Sequence, residues 1–184
     1  MAKTERALSI NNPVHPETAV QPLLILEKLL MDTMDLRWHV LHATVRADDA
    51  VSRKTLALFE RMASELKVFT DRIRRRLEFW RMAGPRAEKG SQRPYLHVID
   101  GEDLNIHEQL EALLCGYARY ERNIQEARIS LERSGDMESV RLCDSLMGSV
   151  ERALCYLEIY LEGLALNYTD PGRLPDFPVV SVDA

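Results

Sequence analysis

Hydrophobic residues recur with the 3.6-residue period of an α-helix along most of this 184-residue chain. The period predicts four long helices, over about residues 22–45, 49–82, 105–135 and 137–167. Three of them carry apolar stripes that we expect to face a core. The first stripe is Leu23, Leu26, Leu30, Met34, Trp38 and Leu41; the second is Phe59, Met62, Leu66, Phe69, Ile73, Leu77 and Trp80; the fourth is Cys143, Met147, Val150, Leu154, Leu157, Leu161 and Leu164.

Residues typical of helix ends support these limits. Pro22 suits a first helical turn, and Asp48 or Asp49 suits the N-cap of the second helix. Asn105 followed by Glu108 resembles a capping box at the start of the third helix. Gly84-Pro85 is a stop signal for the second helix, Gly135 for the third, and Asp136 is the expected cap of the fourth.

The lengths of the connections predict the topology. The first and last connections are short, so each joins an antiparallel helix pair, whereas about 20 residues separate the second and third helices. Four helices with one long central crossover form an all-α, ferritin-like four-helix bundle. A bundle that uses 84–104 as a plain loop is the alternative. We expect a flexible arm over 1–21, the bundle over 22–167, and an extended tail over 168–184.

Charge is distributed unevenly within a net charge of −5. Residues 72–93 carry a net +6 and residues 94–184 a net −10. This mosaic predicts self-association rather than nucleic-acid binding through bulk charge. The candidate patch for nucleic acid or for a subunit interface consists of Arg72, Arg74, Arg76, Arg81, Arg86, Lys89 and Arg93.

Cysteine use and the N-terminal residues indicate a cytoplasmic protein without a membrane partner. Cys115, Cys143 and Cys155 follow no metal-like spacing, so we expect buried free thiols in a reducing compartment. The first twenty residues lack an apolar signal core. No apolar run approaches the roughly 18 residues that a membrane span needs.

Candidate chemistry is sparse. The Glu-x-x-His pair of di-iron bundles is absent from the sequence. Asp35, His39 and His42 share one stripe of the first helix, turned away from its predicted core face. They form either a metal site of two imidazoles and one carboxylate or a polar surface with an Asp–His pair. We expect six further side chains to fill core or interface: Met62, Met147, Trp80, Tyr156, Tyr117 and Tyr120.

Three stretches resemble the Dps family (DNA-binding protein from starved cells), the miniferritins of the ferritin-like superfamily. Residues 29–40, LLMDTMDLRWHV, are similar to the family's run that ends in His-Trp-Asn-Val. Phe59 through Asp71 to Gly84-Pro85 resembles the second-helix motif. Most specific are Ser134-Gly135-Asp136, then Asp144-Ser145-Leu146 and residues 156–161, YLEIYL, which resemble the family's Gly-Asp turn and closing helix.

The resemblance implies a twelve-subunit shell that oxidises Fe(II) with peroxide and stores ferric mineral; some members also bind DNA. It implies a ferroxidase site between two subunits, with two His from one chain and an Asp and a Glu from the other. At these positions the chain has Arg37, Leu56, Asp71 and Arg75. The resemblance therefore predicts a site largely lost, in which Arg37 and Arg75 pair with Asp71.

These observations leave the function open between classes. The first interpretation is a Dps-like shell for iron sequestration and protection from oxidants, with Asp71 as surviving iron ligand and His39, His42 and Asp35 as substitutes. Ferroxidase activity stays undecided at this stage. The alternatives are a catalytically inactive structural or DNA-binding particle, and a helical interaction module unrelated to iron. We expect DNA binding to be weak or absent, because the first 21 residues offer only Lys3 and Arg6.

Overall fold

The computed structural model describes residues 16–46, 53–83 and 105–167. These residues form four α-helices: α1 Pro16–Arg46, α2 Arg53–Ala83, α3 Ile106–Arg133 and α4 Met137–Asn167. No strand occurs in these three ranges. The predicted all-α class is therefore confirmed. Among the described helices, none has both the length and the hydropathy of a membrane span.

The helices pack as two antiparallel pairs, α1 with α2 and α3 with α4. α1 packs directly on α3, and long side chains bridge α2 to α4. α2 ends beside the α3–α4 turn, where Trp80 contacts Asp136. α3 begins at the opposite end, so the connection from α2 to α3 joins opposite ends of the bundle, as in the ferritin-like arrangement. That connection, 84–104, lies outside the described residues.

The core confirms the predicted face of α2, where all seven stripe residues are buried. On α4, Cys143, Val150 and Leu157 are buried, and the neighbouring stripe residues pack at the core's edge. Leu164 has no described side chain.

The stripe predicted for α1 is correct at Leu26, is at the core's edge at Leu23 and Leu30, and is wrong at Met34 and Leu41. The buried face consists of Leu26, Leu29, Thr33, Leu36, Val40 and Ala43. Met34 and Leu41 are 37% and 39% exposed. Apolar residues occupy more than one face of α1, so periodicity alone could not select the face that packs on α3.

The helix ends follow local chemistry closely. Asn105 accepts a bond from the Glu108 amide at 3.1 Å, and the Glu108 carboxylate accepts one from the Asn105 amide at 2.8 Å, which confirms the capping box. Gly135 adopts φ +76°, a left-handed conformation that suits glycine. The start of α1 was predicted too late: the helix begins at Pro16 and Pro22 lies inside it.

Several predictions fall outside the described residues. They concern the cap at Asp48 or Asp49, the stop at Gly84-Pro85, the first fifteen residues of the arm and the tail over 168–184. The cysteine prediction is correct for Cys143, which is buried, and wrong for Cys115 and Cys155, which are exposed.

Candidate functional site

Asp71, the proposed surviving iron ligand, lies on an open face of α2. Its side chain is 49% exposed, and its carboxylate is 3.8 Å from Arg74. Arg75, the expected partner, donates instead to the backbone carbonyl of Asp71 at 3.4 Å. Within one chain, the cation beside the Asp71 carboxylate is thus its neighbour three residues on, in a solvent-exposed pair of little strength.

Arg37 stands where the resemblance places a histidine ligand. Its Nε is buried and has no hydrogen-bond partner among the described residues. No ion pair joins it to Asp71 within the described part of the chain. The resemblance assigns the contact between Arg37 and Asp71 to two neighbouring subunits. The structure of one chain does not test this contact, so it stays a prediction.

Asp35, His39 and His42 lie along α1 with Trp38 among them. The Trp38 ring stacks on His42 with centroids 4.9 Å apart, and meets His39 edge-on at 5.2 Å. Across residues 16–46, 53–83 and 105–167, no three His, Cys, Asp or Glu side chains come close enough to hold a metal ion. A complete ligand set for iron is therefore not assembled by these residues of one chain.

The candidate basic patch is divided by the fold. Arg74 faces Asp71, and Arg81 lies 3.0 Å from Glu27 on α1. Arg76 turns into the molecule, with a side chain only 12% exposed. Arg72 stays exposed, while Arg86, Lys89 and Arg93 lie outside the described residues. Arg76 therefore leaves the surface patch, because a buried carboxylate on the α3–α4 turn neutralises it.

That carboxylate is Asp136, the centre of a clamp between α2 and the α3–α4 turn. Arg76 Nη2 donates to Asp136 Oδ1 at 2.5 Å, and Trp80 Nε1 donates to Oδ2 at 2.8 Å. The Ser139 hydroxyl also donates to Asp136 Oδ2, and the Ser139 amide donates to Oδ1 at 3.2 Å. A second carboxylate, Glu138, accepts from Arg76 Nη1 at 2.8 Å. We define the clamp as Arg76, Trp80, Asp136, Glu138 and Ser139.

The clamp sets the charge of Asp136. Burial by itself would raise the pKa of this carboxyl, but hydrogen bonds from Ser139, Arg76 and Trp80 outweigh it and hold the pKa below its ordinary value. The sequence predicted Asp136 as a helix cap and as part of a Gly-Asp turn. Nothing in the local pattern reveals its partner sixty residues away.

A second polar group lies between α2 and α4. Glu65 accepts from the Ser149 hydroxyl at 2.6 Å and from Arg61 Nε at 3.2 Å. Burial, followed by the charge of Glu65, raises the pKa of Tyr117 above its ordinary value. A single carboxylate at this position binds one cation, here Arg61, and does not supply the paired carboxylates of a di-iron bundle.

A third polar group lies in the groove between α1 and α3. Asp32 accepts from Asn123 at 3.0 Å, and burial raises its pKa although Lys28 and Arg119 oppose the shift. Beneath it, Thr33 and the buried Tyr120 share a hydrogen bond of 2.5 Å. The adjoining cavity, of about 120 Å³, is lined by both Lys28 and Asp32, so a basic and an acidic side chain border the same space.

Among the comparisons with known proteins, the one with solved structures identifies the fold. No family model matches the chain, and no characterised protein matches it in sequence. A solved structure, a mutant of Dps1 from Mycobacterium smegmatis, matches with a TM-score of 0.66 and 16% identity. The match covers 80% of this chain and 99% of that one. The chain therefore has the ferritin-like four-helix fold that this Dps protein also has.

Proposed function

We propose that the chain is the subunit of a Dps-like shell that sequesters iron and protects against oxidants, with the family-type ferroxidase site lost or moved. One observation carries the proposal: the match extends over 99% of the Dps1 chain rather than over a common helical hairpin. The capping box at Asn105 and the Gly135-Asp136 turn add support, because both belong to the half of the chain in which the resemblance is most specific.

Electrostatics support the proposal that the family-type position binds iron weakly. Arg37 and Arg75 replace two of the ligands, and Arg74 is the cation nearest to the Asp71 carboxylate. Two unit charges about 5 Å apart interact by roughly 3 kcal/mol at an effective dielectric constant near 20. Fe(II) carries two charges, so each nearby guanidinium opposes its binding at Asp71. We propose that iron, as the substrate of the shell, is oxidised slowly at carboxylates rather than at a preformed pair.

A catalytically inactive structural or DNA-binding particle is the second candidate. The observation that favours it is that Arg37, Leu56 and Arg75 stand at three of the four ligand positions that the resemblance assigns. The two candidates differ in whether the assembled particle takes up iron.

Fe(II) addition under air or peroxide, followed by size-exclusion chromatography with absorbance and light scattering, separates them. We expect a large oligomer of twelve chains that elutes together with ferric iron. A large oligomer that elutes without iron would instead establish the inactive particle. A monomer or dimer at low salt would overturn both.

The same assay tests Asp71. We expect Asp71→Ala to change the rate of Fe(II) oxidation by less than about two-fold, because Arg74 already competes for the carboxylate. Asp144→Ala, which removes a similarly exposed carboxylate of α4, is the matched control. A large loss of rate in Asp71→Ala alone would show that Asp71 is a working ligand.

A further inference from the structure

Three arginines lie on one side of α4 and have no acidic partner among the residues that the structure describes. Arg141 and Arg152 belong to α4 and are exposed, and Arg72 reaches the same side from α2. The ion pairs of the described ranges include none of the three. Because a guanidinium is always protonated, each of them offers its full charge to a ligand from outside.

Ser145 and Gly148 lie between the two arginines of α4. Residues 141, 145, 148 and 152 follow one another at spacings of four, three and four positions, so they share one face of the helix. Arg72 Nη1 donates to Ser145 Oγ at 3.4 Å, a long hydrogen bond that an anion could replace. We call Arg72, Arg141, Ser145, Gly148 and Arg152 the arginine face of α4.

Gly148 lets the Arg152 guanidinium lie close to the helix backbone. Glycine inside a helix costs stability relative to alanine. Gly116 on α3 has a packing reason, since a Cβ there would approach Leu36 Cδ1 to 3.3 Å. At Gly148 the nearest atom to an added Cβ is Arg152 Nη1, at 3.7 Å. The Arg152 side chain therefore folds back over Gly148, and guanidinium groups from two helices lie at adjacent turns of α4.

The carboxylates nearest to the arginine face are mostly paired with other arginines. Three of them accept hydrogen bonds at 2.6, 2.8 and 3.2 Å: Asp144 from Arg128, Glu138 from Arg76, and Glu65 from Arg61. Glu151 follows Gly148 by three residues and has no ion pair within the described part of the chain. Glu151 opposes the binding of an anion, but three unpaired arginines against one unpaired carboxylate leave an excess of positive charge.

We propose that the arginine face of α4 binds an oligophosphate chain, either inorganic or part of a nucleotide. Guanidinium groups bind phosphate oxygens through paired N–H donors, and the Ser145 hydroxyl supplies a further donor. Arg141 and Arg152 are eleven residues apart, about 16 Å along the helix axis. Because a single phosphate ion is shorter than this distance, several linked phosphates match the face better. The proposal is independent of the proposed shell, since all five residues belong to one chain.

Titration of the full chain with tripolyphosphate at low ionic strength, followed by calorimetry, tests the site. We expect Arg72→Gln and Arg152→Gln each to weaken binding about five-fold or more, because each removes one charge-assisted donor. Arg122→Gln is the matched control and should bind like the parent. It removes an exposed arginine of α3 that likewise has no ion pair in the described ranges.

Two further variants separate loss of the site from damage to the fold. Glu151→Gln removes the opposing charge, so it should tighten binding, which a damaged fold would not do. Gly148→Leu fills the space beside Arg152 Nη1 and improves helix propensity. We expect it to bind tripolyphosphate more weakly than the parent while its unfolding midpoint stays the same or rises.

The choice of probe tests the length of the ligand. Orthophosphate should bind much more weakly than tripolyphosphate, because one ion reaches fewer of the three arginines. Adenosine triphosphate that binds as tightly as tripolyphosphate would show that the phosphate chain is the recognised part. Tighter binding of adenosine triphosphate, still weakened in Arg152→Gln, would identify a nucleotide as the source of the chain.

Three results would overturn the proposal. The parent could fail to bind tripolyphosphate, it could bind orthophosphate equally well, or Arg122→Gln could lose as much affinity as Arg152→Gln. The last result would show that any surface arginine contributes equally. Iron is not part of this titration, so each of these results leaves the proposed function standing.

Discussion

Removal of the Asp136 carboxylate should destabilise the bundle far more than removal of an exposed one. The Asp136 side chain is 1% exposed and its partner Arg76 is 12% exposed. In Asp136→Ala, the guanidinium keeps the Ser139 hydroxyl at 3.0 Å, and Glu138, which is 73% exposed, is its one remaining carboxylate partner. The buried Trp80 N–H loses its acceptor. Breaking a buried ion pair by removing one partner costs about 3–5 kcal/mol, and we expect a loss in this range.

Asp144→Ala, in the helix that follows the turn holding Asp136, is the matched control. Asp144 also contacts an arginine, Arg128, at 2.6 Å, but the two side chains are 52% and 36% exposed. Exposed pairs contribute about 0–1 kcal/mol, so this variant should unfold at nearly the urea concentration of the parent. A double variant, Arg76→Met with Asp136→Ala, should recover part of the loss because no buried charge is left alone.

The dependence of stability on pH provides an independent check of the direction in which the Asp136 pKa is shifted. The folded pKa of Asp136 lies below its unfolded value, which is near 3.9. Its contribution to stability is therefore fully present above that unfolded value and is lost as the pH falls through the folded pKa. The stability difference between the parent and Asp136→Asn should be constant near neutrality and shrink below about pH 4.

Equilibrium urea unfolding, followed by far-ultraviolet circular dichroism at one fixed protein concentration, measures these differences. Equal losses in Asp136→Ala and Asp144→Ala would refute the reasoning, because they would show that the Asp136 carboxylate is no more buried or better paired in solution than an exposed one. A stability difference that does not change from pH 7 to pH 3 would refute the linkage argument.

Three further outcomes follow from the fold. In the native protein, a thiol reagent should label the exposed Cys115 and Cys155 quickly, and Cys143 only on unfolding. The reason is that Cys143 is buried, which raises the pKa of its thiol to about 12. Fast labelling of all three would contradict this burial. Gly116→Val should lower stability by about 1–3 kcal/mol, since its Cβ would crowd Leu36, and a neutral result in urea unfolding would show that α1 and α3 separate easily. Gel shifts should show weak DNA binding that disappears near 150 mM salt, because Arg74, Arg76 and Arg81 already have acidic partners; tight complexes at that salt would favour the DNA-binding particle.

Much of the candidate site could not be predicted from the sequence, although its individual residues could be named. The common face of Asp35, His39 and His42 follows from helical spacing, yet the described residues form no group of three His, Cys, Asp or Glu side chains that could hold a metal ion. Likewise, Arg76 belonged to a basic run in the sequence. Its partner, Asp136, is sixty residues away, and no local rule selects one carboxylate among the 29 acidic residues of the chain.

The sequence by itself determined the features that depend on residues within one helical turn of each other. The buried face of α2 and the capping box at Asn105 follow from such spacings, because the backbone geometry of a helix fixes which neighbours share a face. Only the tertiary structure decided which face of α1 is buried, because apolar residues on several faces satisfy the same period. It also decided that Arg76 is a buried clamp and not part of a surface patch, since that choice depends on the docking of α2 against the α3–α4 turn.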